Sequence, residues 1–339
     1  MVYPGLLVLK RVKTLSGVIL RGLFGLPLNE TSVEMRGFRV AADEMRARLT
    51  QVGETFLDGY HAALGCRVPG TLVARLNSAD AGLRGFAFEG AAMGLALLDT
   101  LTPWGPTRVT NFLNGDGNAH AYMVHVGVGW VWARFPFGFR RFQRRLDSLL
   151  SWLAFDGWGF HEGFFHWPKY VAGEPAPRRL AGYERRAFDQ GLGRSWWFVN
   201  GGNPGLIART IAGLPAERRP DMWSGVGLAA TYAGVADESV LRGLADLAGP
   251  SWPQLAQGAA FAAKARQRAG NLTSYTDLAS KVLCGLSAAD AARLCDTTLE
   301  NLPANAAQPA FEIWRQRIQQ QLRTYRELKA TQTLQQAYQ

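Results

Sequence analysis

Apolar side chains recur at steps of three and four over most of the chain. Met45, Leu49, Val52, Phe56 and Tyr60 fall on one face and predict a long helix over 41–64, ended by Gly65. The same pattern predicts a helix over 83–101 that stops before Pro103, a buried helix rich in glycine and tryptophan over 119–135, and an amphipathic one over 140–155. Asn203-Pro204 sets an N-cap residue before proline at the first helical position, and Asp221, Asp237 and Ser251 read as further N-caps. Ser287 with Asp290 has the form of a capping box. Pro309 opens a last helix whose stripe is Phe311, Trp314, Ile318, Leu322 and Tyr325, and the glutamine-rich end over 331–339 reads as frayed. Period-two alternation is scarce, so the chain reads as mainly α.

Short phrases return along the sequence. Asp58-Gly59-Tyr60-His61 is echoed by Glu162-Gly163-Phe164-Phe165, and Phe88-Glu89-Gly90 by Phe188-Asp189-Gln190-Gly191. His125-Val126-Gly127-Val128-Gly129-Trp130 is echoed by Trp223-Ser224-Gly225-Val226-Gly227-Leu228, and Gln257-Gly258 is a weaker copy. The glycine pairs 59 and 163, 90 and 191, 129 and 227, and 163 and 258 stand 104, 101, 98 and 95 residues apart. A slow drift of that kind predicts a helix-pair repeat, α-solenoid or α/α-toroid-like, in two related halves of about 100 residues. The domain reading is an N-terminal basic and apolar segment with a connector over 1–40, then a single repeat domain over 41–300. That domain has copies at 41–150 and 151–250 and a partial third at 251–300; a C-terminal helix and tail fill 301–339. Aligning Glu89 with Asp189 needs an offset of 100, one less than the glycines, so the register is open by a residue.

An acid beside a helical glycine on an apolar face must be paired or hydrogen-bonded. Glu89, Glu162 and Asp189 are therefore expected to converge with Arg194 as counter-ion, either as a structural ion network or as acid/base groups of a catalytic site. His161 and His166 are candidate proton carriers. They resemble the HExxH zinc motif, but at i and i+5 they lie about 140° apart on a helix, and no metal site is assigned. His120 and His125 have the same spacing, and His61, His125, His161, His166 and Glu162 remain a set that tertiary folding could gather. Tyr60, Trp130, Phe164, Trp167, Trp196, Trp197 and Trp223 are candidates to line an apolar tunnel, a role that core packing would explain as well. No P-loop, dinucleotide fingerprint, nucleophile elbow or aspartate-rich diphosphate motif is present, and no cofactor is named by the residues.

Charge adds one element to this picture. The net charge is +10, gathered in runs at Arg134, Arg140, Arg141, Arg144 and Arg145 and at Arg178, Arg179, Arg185 and Arg186. Such runs are a solvated face, or they attract anionic lipid or an acidic partner; no nucleic-acid module accompanies them. Residues 5–25 mix apolar and basic side chains and either pack on the core or lie in a membrane interface. No secretory leader or spanning segment is read, and three cysteines without CxxC spacing fit a reducing, cytoplasmic location.

Several phrases are similar to a known family. They are Leu20-Arg21-Gly22-Leu23-Phe24-Gly25, Arg36-Gly37-Phe38, Phe56-Leu57-Asp58-Gly59-Tyr60-His61, Gly85-Phe86-Ala87-Phe88-Glu89-Gly90, Phe160-His161-Glu162-Gly163, Gly191-Leu192-Gly193-Arg194-Ser195-Trp196-Trp197-Phe198 and Trp223-Ser224-Gly225-Val226-Gly227. They resemble the domain-of-unknown-function proteins of bacterial enediyne biosynthesis, over about residues 18–330. The resemblance implies a cassette with the iterative enediyne polyketide synthase, its thioesterase, a propeller-like protein and a membrane protein similar to electron-transport subunits. It implies work on a linear polyene during enediyne core formation, as an enzyme or enzyme subunit, or as a non-catalytic scaffold or carrier that docks partners at the inner face of the membrane. It carries over no catalytic residue.

Overall fold

A computed structural model describes residues 17–66, 69–102, 104, 107–303 and 306–337. Among them there are helices and no strand. Residues 1–16, with most of the basic and apolar segment over 5–25, lie outside the described residues. The chain opens with α1 (Gly17–Phe24), α2 (Asp43–Gly65), α3 (Pro69–Asn77), α4 (Arg84–Leu101), α5 (Arg108–Asn114) and α6 (Ala121–Arg134). It continues with α7 (Phe139–Gln143), α8 (Trp152–Phe165), α9 (Trp167–Val171), α10 (Tyr183–Val199), α11 (Pro204–Ala212) and α12 (Arg219–Ala233). It ends with α13 (Glu238–Ala248), α14 (Trp252–Arg268), α15 (Ser274–Cys284), α16 (Ala288–Thr297) and α17 (Ala310–Ala337).

The long helices α2, α4, α6, α8, α10, α12 and α14 pack each against the next, and α11, α13 and α15 form a second layer beside them. Glycine is the reason the long helices can approach so closely. The motif x-Gly-x-Gly stands at 126–129, 156–159, 190–193 and 224–227. In each, the first glycine faces a carbonyl oxygen of the preceding long helix: Gly127 meets Glu89, Gly157 meets Val126, Gly191 meets Asp156 and Gly225 meets Gln190. The second faces the following helix: Gly129 meets Ala154, Gly159 meets Phe188, Gly193 meets Met222 and Gly227 meets Leu255. A Cβ at any of these positions would overlap the carbonyl. The residue before each first glycine is thereby held at one level of the stack. Those residues are Glu89, Val126, Asp156, Gln190, Ser224 and, before Gly258, Gln257.

The stack also curls. Arg48 on α2 donates Nε to the Ala233 carbonyl at the end of α12 (2.8 Å), and Arg266 on α14 donates to the Gly82 carbonyl just before α4 (2.9 Å). The connector over 25–42 lies across the long helices. Tyr60 holds the Phe24 carbonyl (2.7 Å), Trp167 Nε1 holds that of Arg36 (2.9 Å), and the Arg39 amide donates to Val199 (2.7 Å).

The stripes of α2 and α17 are buried as read, with Tyr325 half-buried. The expected helix over 140–155 is instead two pieces. Asp147 Oδ1 accepts the amides of Leu149 (2.9 Å) and Leu150 (2.7 Å), a local turn that competes with helix, so α7 ends at Gln143 and α8 starts at Trp152. Asp221 lies inside α12 rather than capping it. Asn203 caps α11 through Leu206 (2.9 Å), and Ser287 caps α16 through Asp290 (3.1 Å). The tail expected to fray is helical to Ala337.

Candidate functional site

The level of the stack set by the glycines carries an acid at its centre. Glu89 is 2% exposed. Trp130 Nε1 donates to its Oε1 at 3.0 Å, and Arg194, from α10, stands 3.9 Å from the same oxygen. Arg194 is ion-paired instead to Asp156 on α8, and its guanidinium lies 4.8 Å from the Phe160 ring. Burial pushes the Glu89 carboxyl up to about 7, only partly offset by Arg194 and Trp130, while Asp156 pushes the same way. Burial works against the Arg194 charge too, but Asp156 and Glu89 outweigh it and hold the guanidinium protonated. One cation thus serves two carboxyls, and Glu89 is the one left to exchange a proton near neutrality.

A cavity of about 40 Å³ lies against this group. Its walls are Phe56, Phe86, Trp130, Phe160, Phe164 and Phe198 from five long helices, and the connector covers it with Leu26, Glu30 and Thr31. Phe56 and Trp130 pack at 4.4 Å, Trp130 and Phe160 at 5.4 Å. The arrangement is an apolar, quadrupole-rich chamber with Glu89 and Arg194 in its wall and Glu30, ion-paired to Arg36, in its cover.

From Asp156 a buried polar row runs on at the same level. Gln190 Nε2 donates to Asp156 Oδ2 (2.8 Å). Ser224 Oγ lies 3.2 Å from Gln190 Oε1 and 2.9 Å from Gln257 Oε1, so its one hydrogen chooses between two acceptors. Arg315 Nε donates to Gln257 Oε1 (3.1 Å), and its Nη1 reaches Asp221 (2.9 Å), Glu312 (3.1 Å) and the Tyr183 hydroxyl (2.9 Å). Arg186, half-exposed, pairs with Asp221 and Glu312 and brings the row to the surface.

Of the residues expected from the sequence, Glu89, Arg194, Trp130 and Phe164 meet at the cavity. Asp189 sits one residue out of that level, where Arg218 pairs with it through Nε (3.0 Å); burial raises its carboxyl above the usual range against that pairing. Glu162 lies in a second cluster. It accepts from Tyr170 (3.2 Å) and faces His161 Nδ1 (3.5 Å). Burial would raise Glu162, but His161, His166 and Tyr170 hold it below the usual range. Burial lowers His161, whose Nε2 accepts from Arg134 Nε (3.2 Å); His166 lies 6.3 Å away ring to ring. The two clusters touch where His161 meets Trp130 edge-on at 5.7 Å.

Tyr60 and Trp167 tie the connector down, and Trp196, Trp197 and Trp223 are buried outside the cavity walls. His61 accepts the Leu26 amide (3.1 Å), and His125 pairs with the Ala121 carbonyl. Among the described residues no three His, Cys, Asp or Glu side chains gather as a metal site. Asp156, Gln190, Ser224, Gln257 and Arg315 were not singled out from the sequence. The signal for the first three was present: each precedes the first glycine of an x-Gly-x-Gly motif.

No curated protein and no solved structure matches the chain. One family profile does, over residues 15–322, and so over most of the sequence. The chain belongs to the family described as "Protein of unknown function (DUF1702)".

Proposed function

We propose that this protein acts on a linear polyene during enediyne core formation, as an accessory biosynthetic protein beside the polyketide synthase, the propeller-like protein and the membrane electron-transport-like protein of the cassette. The pathway rests on the resemblance of the quoted phrases; the chemistry rests on one observation. Glu89 is a buried carboxyl whose pKa of about 7 lets it give or take a proton at neutral pH, in the wall of an aromatic chamber. At about 40 Å³ the chamber has room for about one water, so a conjugated chain enters only when the connector at Leu26, Glu30 and Thr31 lifts; the rings then face it and stabilise positive charge that develops along it. Glu89 is then the acid/base, Arg194 its counter-ion, and Trp130 the donor that orients it. The His161–Glu162–His166 cluster beyond Trp130 is a second set of titratable groups, in ring contact with Trp130 and without a hydrogen bond to Glu89. Incubating the folded protein with the polyene released by the synthase, followed by mass spectrometry of the product, tests this. Glu89→Gln should reduce product formation about a hundredfold or more; unchanged product from a folded Glu89→Gln variant would sink the catalytic reading.

The second reading, a carrier or scaffold peripheral to the inner face of the membrane, is favoured by a different feature. Phe137 is 84% exposed and Leu23 65%, near exposed Arg141, Arg144 and Arg145. Binding to vesicles decides it. No helix among the described residues is long and apolar enough to cross a membrane. We also read the fold as a helix-pair repeat in two related halves, supported by the recurring glycine contacts at steps of 30 to 37 residues between Gly90, Gly127, Gly157, Gly191, Gly225 and Gly258.

A further inference from the structure

A cleft of about 700 Å³ opens beside α2 and α12, away from the Glu89 chamber. Two guanidiniums converge in it on one carbonyl oxygen. Arg48 Nη2 donates to the Gly82 carbonyl oxygen at 3.2 Å, and Arg266 Nη2 donates to the same atom at 2.9 Å. Their other acceptors are also main-chain carbonyls: Ala233 for Arg48, and Tyr232 and Asn271 for Arg266. Among the described residues neither arginine forms an ion pair with a carboxylate, although Asp80 attracts Arg48 from further off. Arg266 is 1% exposed, and its Nε has no hydrogen-bond partner.

The Tyr232 ring, 4.1 Å from the Arg266 guanidinium, offsets part of that charge, and two like charges held together against neutral acceptors still favour an anion beside them. Burial, with the Arg266 charge adding to it, pulls the Arg48 guanidinium below its usual range. A third arginine, Arg39, stands exposed at the rim with its guanidinium 5.2 Å from the Trp167 ring. The rim acids Glu44 and Asp237 are exposed and pair with none of the three. The N-terminal end of α11, a nine-residue helix, opens onto the same space and adds its positive dipole. The opposite wall is apolar: Met45, Leu206 and Val240.

We propose that this cleft binds an organic oxyanion, a carboxylate or phosphate on an apolar body, with the oxyanion on the cleft side of the half-buried Arg48, whose Nη1 is not used in its bonds to Ala233 and Gly82, Arg266 adding its charge from behind, and the body against Met45, Leu206 and Val240. A guanidinium suits either head group, because both present oxygens that accept charge-assisted hydrogen bonds. The site does not depend on the reading of Glu89. Tyr232 packs edge-on against Phe86 at 5.3 Å and separates the cleft from the chamber.

Titration calorimetry of the full chain with decanoate, decyl phosphate, decanol and inorganic phosphate tests the proposal. Decanoate or decyl phosphate should saturate one site, and the tighter of the two names the head group. Decanol and inorganic phosphate should each bind about tenfold more weakly or worse, since each lacks one half of the recognition. Arg48→Gln should weaken the anionic probes about tenfold. Arg39→Gln, an exposed position that leaves the fold intact, should weaken them severalfold, and it decides the matter if Arg48→Gln does not fold. Absence of saturable binding, decanol binding as tightly as decanoate, or Arg39→Gln and a folded Arg48→Gln both matching the parent protein would each overturn it.

Discussion

Glu89 shows how little a buried carboxyl needs in order to become a proton-exchanging group. It has a donor in Trp130 and a cation within 3.9 Å, yet the cation belongs to Asp156. Its folded pKa of about 7 lies above that of an ordinary carboxyl. Between about pH 4.5 and 7 the unfolded chain has already lost this proton and the folded chain has not, so the contribution of Glu89 to stability falls as pH rises through that window. The shift corresponds to about 3 kcal/mol, present below pH 4.5 and gone above 7. Other buried groups titrate nearby, His161 among them, so the comparison must be with Glu89→Gln, a neutral isostere. The thermal midpoint of Glu89→Gln relative to the parent protein should rise between pH 5 and pH 8; a constant difference would show that Glu89 is already charged when buried. The acid was legible in the sequence as a carboxylate beside a helical glycine. The carboxylate that takes Arg194 from it was not: Asp156 stands in the phrase Asp-Gly-Trp-Gly, where nothing local marks it as the partner of a residue 38 positions on.

At the scale of the element, glycine decides which helices can be neighbours. Gly225 faces the Gln190 carbonyl so closely that a methyl group there has nowhere to go. Gly70, on α3, has nothing within 4 Å of a would-be Cβ. Both are helical glycines, and propensity alone would predict that alanine stabilises each by up to about 1 kcal/mol. The expectation here is opposite signs. Gly70→Ala should raise stability by a few tenths of a kcal/mol to about 1. Gly225→Ala should lower it by about 3 kcal/mol or more, with a thermal midpoint lower by about 5 °C or more, since α12 must move off α10. Similar melting curves for the two variants would remove close backbone approach as the organising contact. The glycine pattern also explains which elements could be read in advance. Stripes such as Met45-Leu49-Val52-Phe56 on α2 are local and legible. The break between α7 and α8 depends on one side chain, Asp147, capturing two amides, and periodicity carries no trace of it. Likewise Asp189 resembles Glu89 in sequence, but the contacts are set by Gly191, which puts Gln190 rather than Asp189 at the level of Glu89.

The whole molecule carries +10, and part of its apolar exposure is gathered on one face. Leu23, Phe24 and Phe135 line one surface hollow; Phe135, Phe137, Arg141 and Arg145 line the next. Exposed apolar side chains and arginines therefore share a face, which joins the end of α1 to the loop before α7. Phe137, 84% exposed, spends nothing on the core, so replacing it leaves the fold unchanged. Inserting such a ring into a bilayer gains about 2 kcal/mol, and each arginine near an anionic surface adds about 1. The docking reading predicts that the protein co-sediments with phosphatidylglycerol vesicles and much less with phosphatidylcholine, and that added salt weakens binding without abolishing it. Phe137→Ser should reduce partitioning about tenfold or more, and Arg141→Glu with Arg145→Glu should do so on anionic vesicles alone. Loss in the charge variant without loss in Phe137→Ser would leave a purely electrostatic face, suited to an acidic protein rather than to lipid. Equal sedimentation of all variants would remove this face as the contact, and no sedimentation of the parent protein would remove the membrane from the account.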